Sequence, residues 1–155
     1  MMPDRLLTRP FVFAWLANMA QGMAFTMFLH FPGFLQGLGA DKVEIGLIVG
    51  LTAVASIAVR PLVGRAMDER GRRPVILFGN LVNVAVLALY LTVGQLGIWL
   101  YVVRIIHGFA EALLFTALFT YGADQVPASR RTEGIALFGI SGMLPIAFGG
   151  VLGDI

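Results

Sequence analysis

The sequence predicts an all-α membrane protein with five transmembrane helices, and two observations support this prediction. The first is composition: 58% of the 155 residues are apolar and only 13% are charged, whereas a typical soluble domain is about half apolar and about a quarter charged. The second is that the apolar residues are gathered in long consecutive runs. So few polar residues cannot cover a water-facing surface, but lipid tails solvate Leu, Phe and Val directly.

The apolar runs define the predicted helices and place them in one domain. Each run is about 17–24 residues long, the length at which an α-helix crosses the hydrocarbon core. The segments between the runs are short, so consecutive helices are expected to be antiparallel neighbours. The runs cover about residues 11–31, 45–63, 75–93, 98–121 and 134–151 of a single domain, 1–155. Because the chain stops where the fifth run ends, we expect a truncated sequence.

The basic residues predict that the N-terminus is cytoplasmic. Loops on the cytoplasmic side of a membrane protein carry an excess of Lys and Arg. With the N-terminus inside, the outer segments hold only Lys42, and Arg104 lies within the fourth run. The cytoplasmic segments then hold Arg5, Arg9, Arg60, Arg65, Arg70, Arg72, Arg73, Arg130 and Arg131. The first run is longer than the core of a signal peptide and no A-x-A site follows it, so it is read as a retained anchor.

Composition also excludes several classes of chemistry. The chain has no cysteine, so disulfides, thiolate metal sites and thiol catalysis are absent. The Arg residues cluster at the ends of apolar runs and not along one solvated face, so no nucleic-acid surface is predicted. Neither a metal site nor a cofactor is expected.

The segment between the second and third runs carries an ordered set of residues: Gly64, Asp68, Gly71, Arg72 and Arg73. A generic cytoplasmic loop explains the Arg residues but not their order with Gly and Asp. Gly71 allows the backbone to turn with positive φ. Asp68 could cap the helix that starts near Arg72 or meet the positive end of another helix.

This segment resembles the signature loop of the major facilitator superfamily, G-x-x-x-D-R-x-G-R-R, and lies between the same two spans. Glu69 stands where the family usually has a basic residue, which changes the local charge. The Arg104-to-Gly108 stretch is similar to the family's R-x-x-x-G pattern in its fourth helix. The stretch from Asp124 resembles the connection that follows that helix.

The resemblance implies a fold and a function. The fold would be the N-terminal six-helix bundle of a longer transporter, truncated before helix six. Asp68 and Arg72 would make cytoplasmic gating contacts, with Asp124 as a partner of the Arg. The function would be secondary active transport of a small molecule by alternating access, which needs two bundles. The partners would be the lipid bilayer, the substrate, protons and the missing C-terminal half, and the 155-residue chain alone is expected to transport nothing.

The fifth run bears on the direction of transport. Antiporters of this family often carry a Gly-Pro-x-x-Gly-Gly stretch there. The chain has Gly142, Pro145, Gly149 and Gly150 in a similar but shifted order. The partial match favours proton-coupled efflux. The alternative is a Gly- and Pro-bent helix that packs closely, which is common in membranes.

Polar residues within the spans are the candidates for a substrate or proton pathway. Arg104, His107 and Glu111 are spaced by three and four residues, so they share one helix face. Such groups persist in a membrane where they face a cavity or a partner. They predict either a wet pathway, with Arg104 binding an anion and Glu111 carrying a proton, or a structural polar cluster. Asn18 and Gln21 share a face of the first run, with the same two interpretations.

Two other functions remain as alternatives. Gly139-Ile140-Ser141-Gly142 fits the short G-x-S-G pattern of intramembrane serine proteases. Such a motif is weak in a Gly-rich helix, and no matching histidine stretch accompanies it. The other alternative is a non-transporting membrane module that only assembles with partners. The sequence therefore favours a transporter over an enzyme.

Overall fold

The structure is a computed structural model that describes residues 5–152, with side chains described for residues 5–148. Over this part the chain is helical and contains no strand, which confirms the predicted all-α fold class. The helices are α1 (Arg9–Thr26), α2 (Phe31–Gly37), α3 (Lys42–Arg70), α4 (Arg72–Tyr90), α5 (Ile98–Asp124) and α6 (Arg131–Leu152). Short 3₁₀ turns occupy Met27–His30 and Ala128–Arg130.

Four stretches are long and apolar enough to cross a membrane in the described part of the chain: Arg9–Gly37, Lys42–Arg70, Arg72–Tyr90 and Ile98–Asp124. Many large apolar side chains on them are exposed, including Leu47, Ile57 and Leu81 at more than 60%. Exposed apolar area of this extent suits lipid and not water. The fifth predicted span falls in α6, and its crossing of the membrane stays a prediction.

The sequence predicted that Gly64–Arg73 forms a loop between the second and third helices, and this prediction is wrong because nearly all of the segment is helical. Helix α3 continues to Arg70 and α4 begins at Arg72, so only Gly71 separates them. The sequence prediction ended the second helix at Val63, before the cluster of charged residues that begins at Arg65. Long basic side chains can stay helical and still reach the interface with their charged ends. The first helix likewise extends beyond the predicted end, since α2 continues to Gly37.

The chain divides into two compact units, and each is described by itself. The first unit contains α1, the end of α5 from Leu118, and α6. Here α1 packs against α6, around a core of Leu6, Phe11, Ala14, Val126 and Phe138. The indole nitrogen of Trp15 donates to the carbonyl of Leu137 at 2.9 Å. Gly22 lies directly against the ring of Pro145, so these two helices approach closely.

The second unit, Phe31–Ala117, contains α2, α3, α4 and most of α5. Its core is formed by Val63, Met67, Val75, Ala112, Leu113 and Ala117. Two glycines of this unit remove side chains where helices meet. Gly79 of α4 lies against Leu113, and Gly108 of α5 lies against the backbone of Thr52 in α3. Small residues at such contacts let membrane helices approach closely.

Gly71 forms the joint between α3 and α4. Its φ is 83° and its ψ is 168°, a combination that essentially only glycine adopts without strain. Its N–H donates to the carbonyl of Met67 at 3.0 Å and so ends α3. The predicted role of Gly71 in turning the chain is therefore confirmed. The predicted capping of α4 by Asp68 is wrong, because the start of α4 has no side-chain cap.

Replacing Gly71 with Ala should destabilise the fold by about 1–3 kcal/mol, because Ala is strained at this φ and ψ. Gly64→Ala is the matched control within the same motif. Gly64 lies inside α3, and a methyl group there would contact nothing within 4 Å. The control should leave stability unchanged or raise it by up to about 1 kcal/mol. Thermal unfolding in detergent micelles measures the stability of both variants. Equal effects of the two substitutions would contradict the requirement for glycine at position 71.

Gly108→Ala should destabilise the second unit, because the added methyl group would collide with backbone atoms of α3 and not with a movable side chain. Overpacking of this kind typically costs about 1–3 kcal/mol. Gly50→Ala is the control, since Gly50 lies in α3 with open space around it. Unfolding of both variants in the same detergent checks this, and a stable Gly108→Ala protein would contradict the close contact.

Candidate functional site

Arg104 lies in α5 and is only 4% exposed, so its charge must be compensated inside the protein. Its Nε donates to the carbonyl of Ile48 at 3.1 Å, and its Nη2 donates to the carbonyl of Val49 at 3.3 Å. The guanidinium also lies over the ring of Phe31, 4.7 Å from the ring centroid. The hydroxyl of Thr52 donates in turn to the carbonyl of Arg104 at 3.3 Å. These contacts hold the Arg104 side chain of α5 against α3 and α2.

The remaining nitrogen of Arg104 begins a buried polar chain. Its Nη1 donates to the hydroxyl of Tyr90 at 3.2 Å, and that oxygen lies 3.0 Å from Nδ1 of His107. Nε2 of His107 lies 3.4 Å from Oε1 of Glu111, one helical turn further along α5. We call Arg104, Tyr90, His107 and Glu111 the buried polar chain. His107 is 2% exposed and Glu111 is 3% exposed.

The structure thus brings together the three ionisable residues predicted from the fourth run. His107 lies between Arg104 and Glu111 on the shared face of α5. Sequence reasoning missed Tyr90, which closes the gap from the end of α4. One signal pointed to it: Tyr90 carries the only hydroxyl-bearing aromatic ring in the third apolar run.

Asn18 lies in the other unit and bonds across two helices. Its Nδ2 donates to Oγ of Ser141 at 2.8 Å, and Oγ of Ser141 donates to the carbonyl of Phe138 at 2.6 Å. The first bond joins α1 to α6 and the second lies within α6, which favours the structural interpretation of Asn18. Gln21 is buried one turn further along α1, at 6% exposed. A substrate contact of Asn18 or Gln21 stays a prediction.

The predicted gating residues lie at the α3–α4 joint and at the end of α5. Arg72 reaches back along α3, where its Nη1 donates to the carbonyl of Met67 at 3.1 Å and lies 3.7 Å from Oδ1 of Asp68. The Asp68 side chain is 79% exposed, and an ion pair this exposed contributes little stability. Arg73 and Asp124 are also exposed. A gating contact between Arg72 and Asp124 stays a prediction.

The predicted bending residues of α6 are only partly described. Pro145 is buried against Gly22, and Gly142 lies 3.6 Å from the amide nitrogen of Asn18, measured from the position of an added methyl group. The surroundings of Gly149 and Gly150 lie outside the described residues. The close contact with Gly22 gives Pro145 a packing role, and its effect on the helix axis stays a prediction.

Two asparagines of α4 behave differently. The amide of Asn80 donates to the carbonyl of Ile76 in its own helix at 2.9 Å. Asn83 is 6% exposed, and its Oδ1 finds no hydrogen-bond partner among the described residues.

Within residues 5–148, no group of three His, Asp or Glu side chains could hold a metal ion.

An apolar cavity of about 390 Å³ lies between α3, α4 and α5. Its lining includes Val59, Phe78 and Phe109, with Arg70 as its charged member. None of the predicted pathway residues lines it, so the buried polar chain and this cavity are separate features of the second unit.

The fold and the site together define a multi-pass helical membrane protein with ionisable groups buried in its interior. Comparison with known proteins identifies the family. Residues 11–155 match the Major Facilitator Superfamily, which covers nearly the whole chain. The chain therefore belongs to this family of membrane transporters, and the resemblance seen in the sequence is confirmed. No solved structure matches the chain significantly.

Three relatives illustrate the similarity. The staphylopine export protein of Staphylococcus aureus is 26% identical over 72% of this chain and 28% of its own length. The class H tetracycline resistance protein of Pasteurella multocida is 32% identical over 71% of this chain and 28% of its own length. A multi-drug resistance efflux pump homologue of Lactococcus lactis is 28% identical over 90% of this chain and 36% of its own length. The matched region is thus about a third or less of each relative.

Proposed function

We propose that the chain is part of a secondary transporter that exports a small molecule in exchange for protons. Family membership supports transport across a membrane. The names of these relatives refer to export, to tetracycline resistance and to multidrug efflux, and they support an outward direction of transport. Because the matched region is 28–36% of the length of these relatives, we propose that these helices work together with further helices of the same transporter.

The observation that carries the proton coupling is the buried polar chain. Glu111 is 3% exposed and lies beside His107. A carboxylate at membrane depth is expensive, and such groups are retained where they relay protons or bind ligands. A carboxyl group that gains and loses a proton during the cycle would couple substrate export to the proton gradient. We therefore assign the proton-carrying role to Glu111.

Arg104 has a different role in this proposal. Each of its three nitrogen atoms donates to a protein oxygen, on Ile48, Val49 or Tyr90. A guanidinium held in this way anchors the chain and compensates the charge of Glu111. The anion contact predicted from the sequence would require it to leave these partners, so we favour the anchoring role.

The two alternatives are less well supported. Ser141 is a poor candidate for a nucleophile, because its oxygen accepts from Asn18, donates to Phe138, and is completely buried. A passive assembly module would not need a row of ionisable groups inside a span, where each charged group costs about 2.5–3.5 kcal/mol to insert. Family membership also favours transport over both alternatives.

Glu111→Gln tests the proton coupling in a full-length transporter that contains these helices. In liposomes with an imposed pH gradient, the variant should lose gradient-driven movement of tetracycline to the level of protein-free liposomes. It should keep exchange of labelled for unlabelled tetracycline, because substrate binding does not need the carboxylate. Tetracycline is the probe because two relatives are named tetracycline resistance proteins.

Glu133→Gln is the matched control for this experiment. Glu133 is exposed at the start of α6, where hydrogen bonds from Arg130 lower the pKa of its carboxyl group. It lies outside the predicted spans, so its loss should leave gradient-driven flux unchanged. Gradient-driven flux that survives in Glu111→Gln would rule out Glu111 as the proton carrier.

We also propose that the N-terminus and the α3–α4 joint face the cytoplasm. The basic residues around Gly71 support this orientation, since cytoplasmic loops are rich in Arg. Because the chain has no cysteine, single-cysteine variants report it directly. In intact cells, a membrane-impermeant maleimide should label Lys42→Cys at the start of α3. It should label Arg73→Cys only after lysis, and the opposite pattern would contradict the orientation.

A further inference from the structure

The apolar cavity between α3, α4 and α5 is closed on its inner side and open on its outer side. Val63, Val75 and Leu113 form its inner wall and are at most 5% exposed. Leu62 and Phe78 form its rim and are 62% and 52% exposed. Both rim residues belong to helices long and apolar enough to cross a membrane. The cavity therefore opens sideways, toward the region that lipid tails occupy.

The dimensions of the cavity match a single hydrocarbon chain. On α3 its lining extends from Val59 to Arg70, which is about 16 Å at 1.5 Å per residue. That is close to half of the roughly 30 Å hydrocarbon core, the depth of one bilayer leaflet. Spread along this length, a volume of about 390 Å³ leaves a channel about 5–6 Å wide. A helix with its side chains is about 10–12 Å across, so the channel is too narrow to hold a further helix.

The end of the cavity nearest the α3–α4 joint is cationic. Arg70 lines it, is exposed, and forms no side-chain hydrogen bond or ion pair within residues 5–148. Helix α4 begins two residues later without a side-chain cap, and the start of a helix carries a partial positive charge. Pro74, in the first turn of α4, lines the same end. An anion at this end would thus meet a guanidinium and the start of α4.

The acidic residues nearby leave this end positive. Residues 65–73 contain four Arg and only two acidic residues, Asp68 and Glu69. Asp68 lies 3.7 Å from Arg72, and neither acidic side chain lines the cavity. A membrane supplies one kind of molecule that combines an anionic head with an apolar chain one leaflet long.

We propose that the cavity holds one acyl chain of an anionic phospholipid whose phosphate binds Arg70. With the joint facing the cytoplasm, this lipid comes from the cytoplasmic leaflet, where anionic lipids are abundant. A zwitterionic lipid has the same phosphate but also a cation that compensates it, so it binds less tightly. The site goes beyond the proposed export function and does not depend on the substrate or on proton coupling.

Arg70→Gln tests the head-group contact in a full-length transporter that contains these helices. Native mass spectrometry, with phosphatidylglycerol or phosphatidylcholine added to the detergent, counts the lipid molecules that stay bound. The unmodified protein should retain phosphatidylglycerol in preference to phosphatidylcholine. Arg70→Gln should weaken the binding of one phosphatidylglycerol molecule roughly fivefold. Arg65→Gln is the matched control, because it removes the same charge from α3 at an exposed position that does not line the cavity.

Ala66→Phe tests the chain site without changing any charge. Ala66 lines the cavity from α3, so a phenyl ring there should fill the channel and displace the same phosphatidylglycerol molecule. Ala58→Phe is its control, since Ala58 is exposed on α3 and does not line the cavity. If Ala66→Phe does not fold, the comparison of Arg70→Gln with Arg65→Gln still decides, because both of those side chains are exposed.

Equal retention of the two lipids would overturn the inference, and so would equal effects of Arg70→Gln and Arg65→Gln. Phosphatidylglycerol bound as before to a folded Ala66→Phe protein would place the lipid elsewhere and would also contradict it. A dimer mass that Ala66→Phe abolishes would show that a second copy fills the cavity instead. Each readout is a mass and not a flux, so failure of the proposed export function would be seen separately in the liposome experiment.

Discussion

Burial of a guanidinium in a membrane interior is the constraint on which the second unit depends. Lipid offers no hydrogen-bond acceptor, so every donor of Arg104 has to be met by the protein. Helix α3 supplies two carbonyls, α4 supplies the hydroxyl of Tyr90, and α2 supplies the ring of Phe31. One side chain of α5 thus contacts all three other helices of this unit, and satisfying its charge fixes where they lie.

Close packing makes these bonds geometrically possible. Arg104 and Gly108 are one turn apart, so they lie on the same face of α5, and both face α3. A side chain at position 108 would push the backbone of α3 away and lengthen the bonds from Arg104 to Ile48 and Val49. The R-x-x-x-G pattern therefore has a physical explanation in this chain: the glycine admits the backbone that the arginine needs.

The buried polar groups of the two units differ in chemical character. In the first unit, Asn18 and Ser141 form a neutral pair between α1 and α6, which binds helices together and carries no exchangeable charge. In the second unit, the buried polar chain joins a permanent cation to a titratable carboxyl group through Tyr90 and His107. Only the second arrangement contains a group that can change its charge, which is why we propose the proton coupling there.

The sequence alone determined the membrane environment, the fold class, the family and the shared face of Arg104, His107 and Glu111, because composition, run length and helical spacing are local properties. It did not determine that α3 runs to Arg70. The apolar run stops before the charged residues, but these residues remain helical while their long side chains reach the interface. Nor did it identify Tyr90, which is 14 residues from Arg104 in sequence but bonded to it in space. Only the packing of α4 against α5 could bring a hydroxyl into that gap, because such a contact depends on how separate helices approach one another.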